Sequence, residues 1–195
     1  MHGLINRSIQ LFLGDTYGTE AWQAIVARAG LGIDSFEAML TYPAEMTTRL
    51  LQAAAAHLGK AREQLLEDLG TYLVSHPRME AVRRLLRYGG ESFVDFLHSL
   101  DELPDRARLA VPDLEMPELE LLCTGVQAYA LEVRFERPGF GHVLQGVLRA
   151  MADDYGALVT LEHAGAGPGS ERLIIEVLET AFAQGRGFEL AARAM

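Results

Sequence analysis

The spacing of apolar residues changes along the chain, and that change limits the folds open to it. Up to about residue 110 the apolar positions recur at helical intervals; in LINRSIQLFL, positions 5, 9, 12 and 13 form one stripe. TEAWQAIVARAG closes at Gly30, and PAEMTTRLLQAAAAHLG opens on Pro43 and stops at Gly59, the residue types that begin and end helices at least cost. DSFEAML sets Glu37 three residues after Asp34, a capping-box spacing that predicts a short helix. KAREQLLEDLGTYLVSH predicts a helix ending before Pro77, RMEAVRRLLRYG another, and ESFVDFLHSL a third with Phe93, Phe96, Leu97 and Leu100 on one face. Pro104 then interrupts the pattern. Proline lacks a backbone N–H and disfavours helix in the residue before it, so a kink or an end is predicted at Leu103.

After Pro117 the period falls to two. ELELLCTGVQAYALEVRFE reads as two strands joined around Thr124–Gly125, with Tyr129, Leu131, Val133 and Phe135 on one face. FGHVLQGVLRAMADDYG returns to a helical stripe at Phe140, Val143, Leu144, Val147, Leu148 and Met151. ALVTLEH and ERLIIEVLE flank a glycine-rich hairpin loop, AGAGPGS. The expected fold class is α+β: a helical N-terminal half followed by a four-stranded antiparallel sheet with one covering helix. The expected boundaries are a domain over residues 1–180, made of a helical subdomain (1–60) and helices plus sheet (61–180), followed by a weakly helical tail (181–195).

Of the 195 residues, 49% are hydrophobic and 23% charged, enough to bury a sizeable core. A net charge of -10 argues against a nucleic-acid partner or an anionic membrane surface. Arg83, Arg84 and Arg87 read as a solvated helix face, and Asp153 and Asp154 as a solvated pair. The single cysteine, Cys123, excludes an intramolecular disulfide, and its neighbours Leu121 and Leu122 predict a buried, inert thiol. No run reaches the about 20 apolar residues of a membrane span. The N-terminus lacks a secretory pattern, so a cytoplasmic protein is expected. The six histidines include no His-x-x-x-His pair, and no Gly-x-Ser-x-Gly or Gly-Lys-Ser/Thr motif occurs. Glu162 and His163 adjoin the hairpin and are expected to face water. Neither a zinc centre nor an enzyme is indicated by these residues.

MHGLINRSIQLFLGDTYG, WQAIVARAG, LLEDLGTYLV and ESFVDFLHSLDELPDRARLAVPDLEMPEL follow one another in an order and spacing that resembles the haem nitric oxide/oxygen-binding family, H-NOX. These are the sensor domains of soluble guanylate cyclase and of bacterial gas sensors, and the resemblance covers roughly residues 1–180. It implies a haem cofactor, nitric oxide or oxygen sensing without catalysis, and a signalling partner such as a histidine kinase or cyclase. Family members hold iron through a histidine in L-D-x-[LIV]-H; the matching segment here is LDELP, which puts Pro104 at the ligand position. Their Tyr-x-Ser-x-Arg motif grips the haem propionates and corresponds to Val133, Phe135 and Arg137. Pro117 matches the family proline that presses on the porphyrin.

His142 falls five residues after Arg137, where oxygen-binding members place a distal tyrosine, so it is one candidate iron ligand. His98 is another, although on a continuous helix it would lie about 120° from position 104. The resulting expectation is a degenerate H-NOX-like sensor or signalling domain that does not bind haem in the usual way and acts through a partner protein. One alternative is a haem-based sensor with iron held by His142 or His98. Another is a pocket reused for an apolar ligand, lined by Val133 and Phe135 and anchored by Arg137. No output domain is expected within these residues, which predicts that a response passes to a separate chain.

Overall fold

The computed structural model describes residues 1–188. The chain divides into two compact units, Met1–Leu65 with Asp113–Glu115, and Leu66–Pro112 with Met116 onward. In the first, α1 (Gly3–Tyr17), α2 (Thr19–Ala29) and α3 (Ala44–Leu58) bury Ile9, Phe12, Leu13, Ile25 and Leu50. The helix expected from DSFEAML does not form; residues 31–43 run as bends, a turn and irregular chain. Phe36 explains the difference. Its side chain is 1% exposed and packs edge-on against Trp22 and Tyr42. Its N–H donates to Gln10 Oε1 at 2.9 Å, while Trp22 Nε1 donates to Asp34 O. Burying a phenylalanine stabilises by about 1.5–3 kcal/mol, more than the about 1 kcal/mol a helix cap supplies.

The second unit takes in most of α4 (Arg62–Ser75), then a 3-10 turn (Pro77–Met79), α5 (Glu80–Arg87), α6 (Phe93–His98) and α7 (Leu103–Ala110). The strands are β1 (Glu118–Gly125), β2 (Ala128–Arg134), β3 (Leu158–Gly167) and β4 (Ser170–Glu179), with α8 (Phe140–Tyr155) between β2 and β3. All pairings are antiparallel in the order β1-β2-β4-β3, the expected α+β architecture. Inward residues of β2 and β4 meet α8 in one apolar core that includes Leu131, Val133, Leu148, Met151 and Ile175.

Pro104 has a different local role from the one its pattern suggests. α6 already ends at His98, and Pro104 sits in the first turn of α7, where an N–H would have no intrahelical acceptor. The proline starts a helix here. The hairpin between β1 and β2 turns at Val126–Gln127, beyond Thr124–Gly125, with Gln127 at φ 57°. Because β1 is an edge strand whose last four residues are exposed, Cys123 is exposed and not buried as its neighbours suggest.

The basic cluster is also not a solvated face. Arg83 and Asp154 are each 4% exposed and pair at 2.9 Å, and Arg87 lies 3.9 Å over the Tyr155 ring. Burial pushes the Arg83 pKa down, but the Asp154 hydrogen bond and charge outweigh it and the net shift is upward. Past β4 the chain runs through a turn and irregular structure to Phe188, not the expected helix; the rest of the expected helical tail lies outside the described residues. Among the described residues no helix is long and apolar enough to cross a membrane.

α4 and α8 touch backbone to backbone. A Cβ on Gly146 would lie 1.9 Å from Glu67 O, and one on Gly70 would lie 2.0 Å from Val143 O. Thr71 Oγ1 donates to Gly146 O, and Arg149 pairs with Glu67 beside the crossing. Gly146→Ala is therefore expected to destabilise by about 2–3 kcal/mol through overpacking. Gly14→Ala, in open space on α1, should stabilise by about 0.5–1 kcal/mol. Urea unfolding midpoints of the two variants, moving in opposite directions, check this.

Ser92 and Asp95 form a reciprocal capping box at the start of α6. The hydrogen bonds from the Ser92 hydroxyl and backbone N–H hold the Asp95 carboxyl below its ordinary pKa. A lowered folded value gives a contribution that is full above about pH 4 and lost as pH falls through that lowered value. Ser92→Ala should cost about 1 kcal/mol near neutral pH. The difference from the parent should narrow in the same denaturation experiment at pH 3.

Candidate functional site

The residues singled out by the H-NOX resemblance separate into several places in the second unit. Pro104 is buried in the first turn of α7, next to Leu103, which shares a core with Leu119, Leu131 and Val133. Its nitrogen is part of a peptide bond and has no lone pair to offer iron. Val133 lies on β2, 1% exposed, paired with Leu119 on β1 and Glu171 on β4. Phe135 follows the end of β2, and its N–H donates to Gly169 O at 3.0 Å. Its ring meets Phe140 edge-on at 5.5 Å, and the Arg137 guanidinium sits 4.8 Å from its centroid. Phe135, Arg137 and Phe140 thus cluster where β2 hands over to α8. Pro117 is buried just before β1.

The two candidate histidines are placed apart. His98 is the last residue of α6, exposed, with its ring edge-on to Tyr129 at 5.7 Å. The chain turns between His98 and Pro104, so no single helical wheel relates them. His142 is in the first turn of α8, and its ring stacks on His163 of β3 at 4.2 Å and 10°.

His163 does not face open water. Only 15% of its side chain is exposed, and its Nε2 lies 2.9 Å from Oε2 of Glu171, whose residue is 7% exposed. The other oxygen, Glu171 Oε1, accepts from the backbone N–H groups of Gly139 (2.9 Å) and Gly141 (3.2 Å). Burial pushes the Glu171 pKa up, but the His163 bond and the two backbone donors outweigh it, so the carboxyl sits below its ordinary range. The residues of this cluster are 21 and 8 positions apart and come from a helix and two strands. No linear motif could have announced it; only the β3–β4 register and the seat of α8 bring the three together.

A haem held as the resemblance implies needs an imidazole at position 104 and hydroxyl donors at 133 and 135. These positions supply a proline, a valine and a phenylalanine, and of that set only Arg137 could take a propionate. At the positions the resemblance assigns, the sequence thus offers one guanidinium and no imidazole.

Comparison with known proteins bears on the family directly. The profile of the Haem-NO-binding family, HNOB, matches residues 2–163. A soluble guanylate cyclase of Caenorhabditis elegans, gcy-31, is 25% identical over 154 residues, covering 79% of this chain and 22% of that protein. Soluble guanylate cyclase 89Db of Drosophila melanogaster is 23% identical over 155 residues, covering 80% and 23%. The chain thus spans less than a quarter of the length of the curated relatives it matches. Among solved structures, an H-NOX protein from S. oneidensis in the Fe(II) ligation state superposes with a TM-score of 0.79 at 15% identity, covering 92% of this chain and 97% of the other. Fe(II) unliganded H-NOX from K. algicida gives 0.78 at 19%, covering 94% and 100%. At such identities the structures establish the fold, and the profile match establishes the lineage. The chain belongs to the haem-NO-binding, or H-NOX, family.

Proposed function

We propose that this chain is a non-enzymatic, cytoplasmic H-NOX signalling domain that does not hold haem in the family's manner and acts by contact with a partner protein. The observation that carries this reading is Pro104, buried in the first turn of α7, at the position that the resemblance assigns to the iron ligand. Val133, packed in the core, and Phe135, edge-on to Phe140 with Arg137 over its ring, add to it by putting hydrocarbon where the resemblance assigns two hydroxyl donors. Loss of the axial imidazole removes the one bond that fixes iron to the protein. Loss of both hydroxyls leaves a propionate to a single guanidinium. Each change weakens haem binding, and together they favour a domain whose fold outlived its cofactor.

Neither histidine restores the ligand in this reading. His142 is stacked on His163, and His98 lies exposed at the end of α6. What remains is a surface to be read by another chain. The cyclases among the relatives suggest a cyclase as that partner, the family resemblance offers a histidine kinase as the alternative, and the signal would be a difference in partner affinity between two states of the domain.

Expressed with haem supplementation and reduced, the protein is expected to show no stoichiometric Soret band and no spectral change on adding nitric oxide. A band that shifts with nitric oxide and disappears in His142→Ala would overturn the reading and make the chain a gas sensor with a relocated iron ligand.

A further inference from the structure

His142, His163 and Glu171 place one potential ligand atom each within 4.8 Å of the others. Two neutral imidazoles and a carboxylate are a donor set that suits zinc and its first-row neighbours. At zinc-type bond lengths of about 2.1 Å, tetrahedral ligand atoms lie about 3.4 Å apart. His163 Nε2 and Glu171 Oε2 hydrogen-bond at 2.9 Å and would part by about 0.5 Å to share one ion, which replaces the proton between them, and the His142 ligand atom lies within 4.8 Å of both.

The surroundings are built as an outer shell would be. Gly139 and Gly141 N–H groups hold Oε1 of Glu171, which fixes the carboxylate plane and leaves Oε2 directed at His163. A side chain at position 141 would fill the space, because its Cβ would lie 2.7 Å from Glu171 Oε2 and 3.0 Å from His163 Nε2. The two rings are stacked nearly parallel, with centroids 4.2 Å apart. Both histidines are half-buried and Glu171 is buried, which gives an ion a route from solvent and a sheltered seat.

We propose that His142, His163 and Glu171 form a binding site for one divalent transition-metal ion of the zinc class. The ion ties the first turn of α8 to the β3–β4 hairpin and keeps a coordination position for water or a partner's side chain. The site is independent of haem and stands whether or not the chain holds a porphyrin.

The test uses the full chain, stripped of metal with a chelator and titrated with zinc chloride alone by calorimetry, with elemental analysis after dialysis. One zinc per chain is expected, with a thermal midpoint raised by the ion. H142Q and H163Q should each weaken binding by about 100-fold, whereas H57Q, on α3, should leave it unchanged. Circular dichroism verifies that the variants fold. Should either fail to, cobalt(II) substitution of the parent chain gives a readout that needs no variant: tetrahedral ligand-field bands and paramagnetically shifted resonances from two histidines. Absence of retained zinc would overturn the proposal. So would zinc held with equal affinity by H142Q and H163Q, or cobalt spectra carrying no histidine signals.

Discussion

The backbone contact between α4 and α8 at Gly70 and Gly146 is the constraint on which the second unit depends. Two helices that meet without side chains between them have little freedom to slide, because any shift drives a carbonyl into the neighbouring chain. On its other side α8 lies against the sheet, with Leu148 and Met151 fully buried. The helix is thereby fixed in depth, and so is what its two ends present. At its N-terminus are Phe140, against Phe135, and His142, against His163. Near its C-terminus are Asp154, paired with Arg83, and Tyr155, whose hydroxyl donates to Gly90 O.

Much of this is legible in the sequence because it follows from periodicity. The change from helical spacing to alternation after Pro117 is a local property, and it marks out the helices, the two hairpins and the covering helix. What is not legible depends on partners far along the chain. Asp34 and Glu37 carry a capping spacing, yet Phe36 between them is drawn into the packing of α1 and α2. Asp154 reads as surface until Arg83, 71 residues earlier, is found beside it. Cys123 has apolar neighbours, but the strand carrying it is at the sheet edge. Pro104 reads as a break, while the true end of α6 at His98 is set by the capping geometry of a six-residue helix.

The same division applies to the site. Pro104, Val133, Phe135 and Arg137 stand out through an ordered family pattern, and the structure adds how each is packed. The His142–His163–Glu171 cluster has no such pattern, since its spacing reflects a helix seat and a hairpin register. Family membership and local chemistry thus point in different directions. The first places the chain in the haem-binding family over residues 2–163, and the second puts a proline, a valine and a phenylalanine at the positions that the family pattern assigns to haem donors, the basis of the proposed loss. A core can accept such replacements readily, because hydrocarbon at positions 104, 133 and 135 packs without leaving polar groups to satisfy.

Native mass spectrometry of the full chain, purified after haem-supplemented expression, tests the loss of haem most directly, because it weighs whatever the folded protein retains. The mass expected is that of the polypeptide, alone or with a single zinc-class ion. A stoichiometric haem adduct that survives gentle desolvation would contradict the proposed loss of the cofactor.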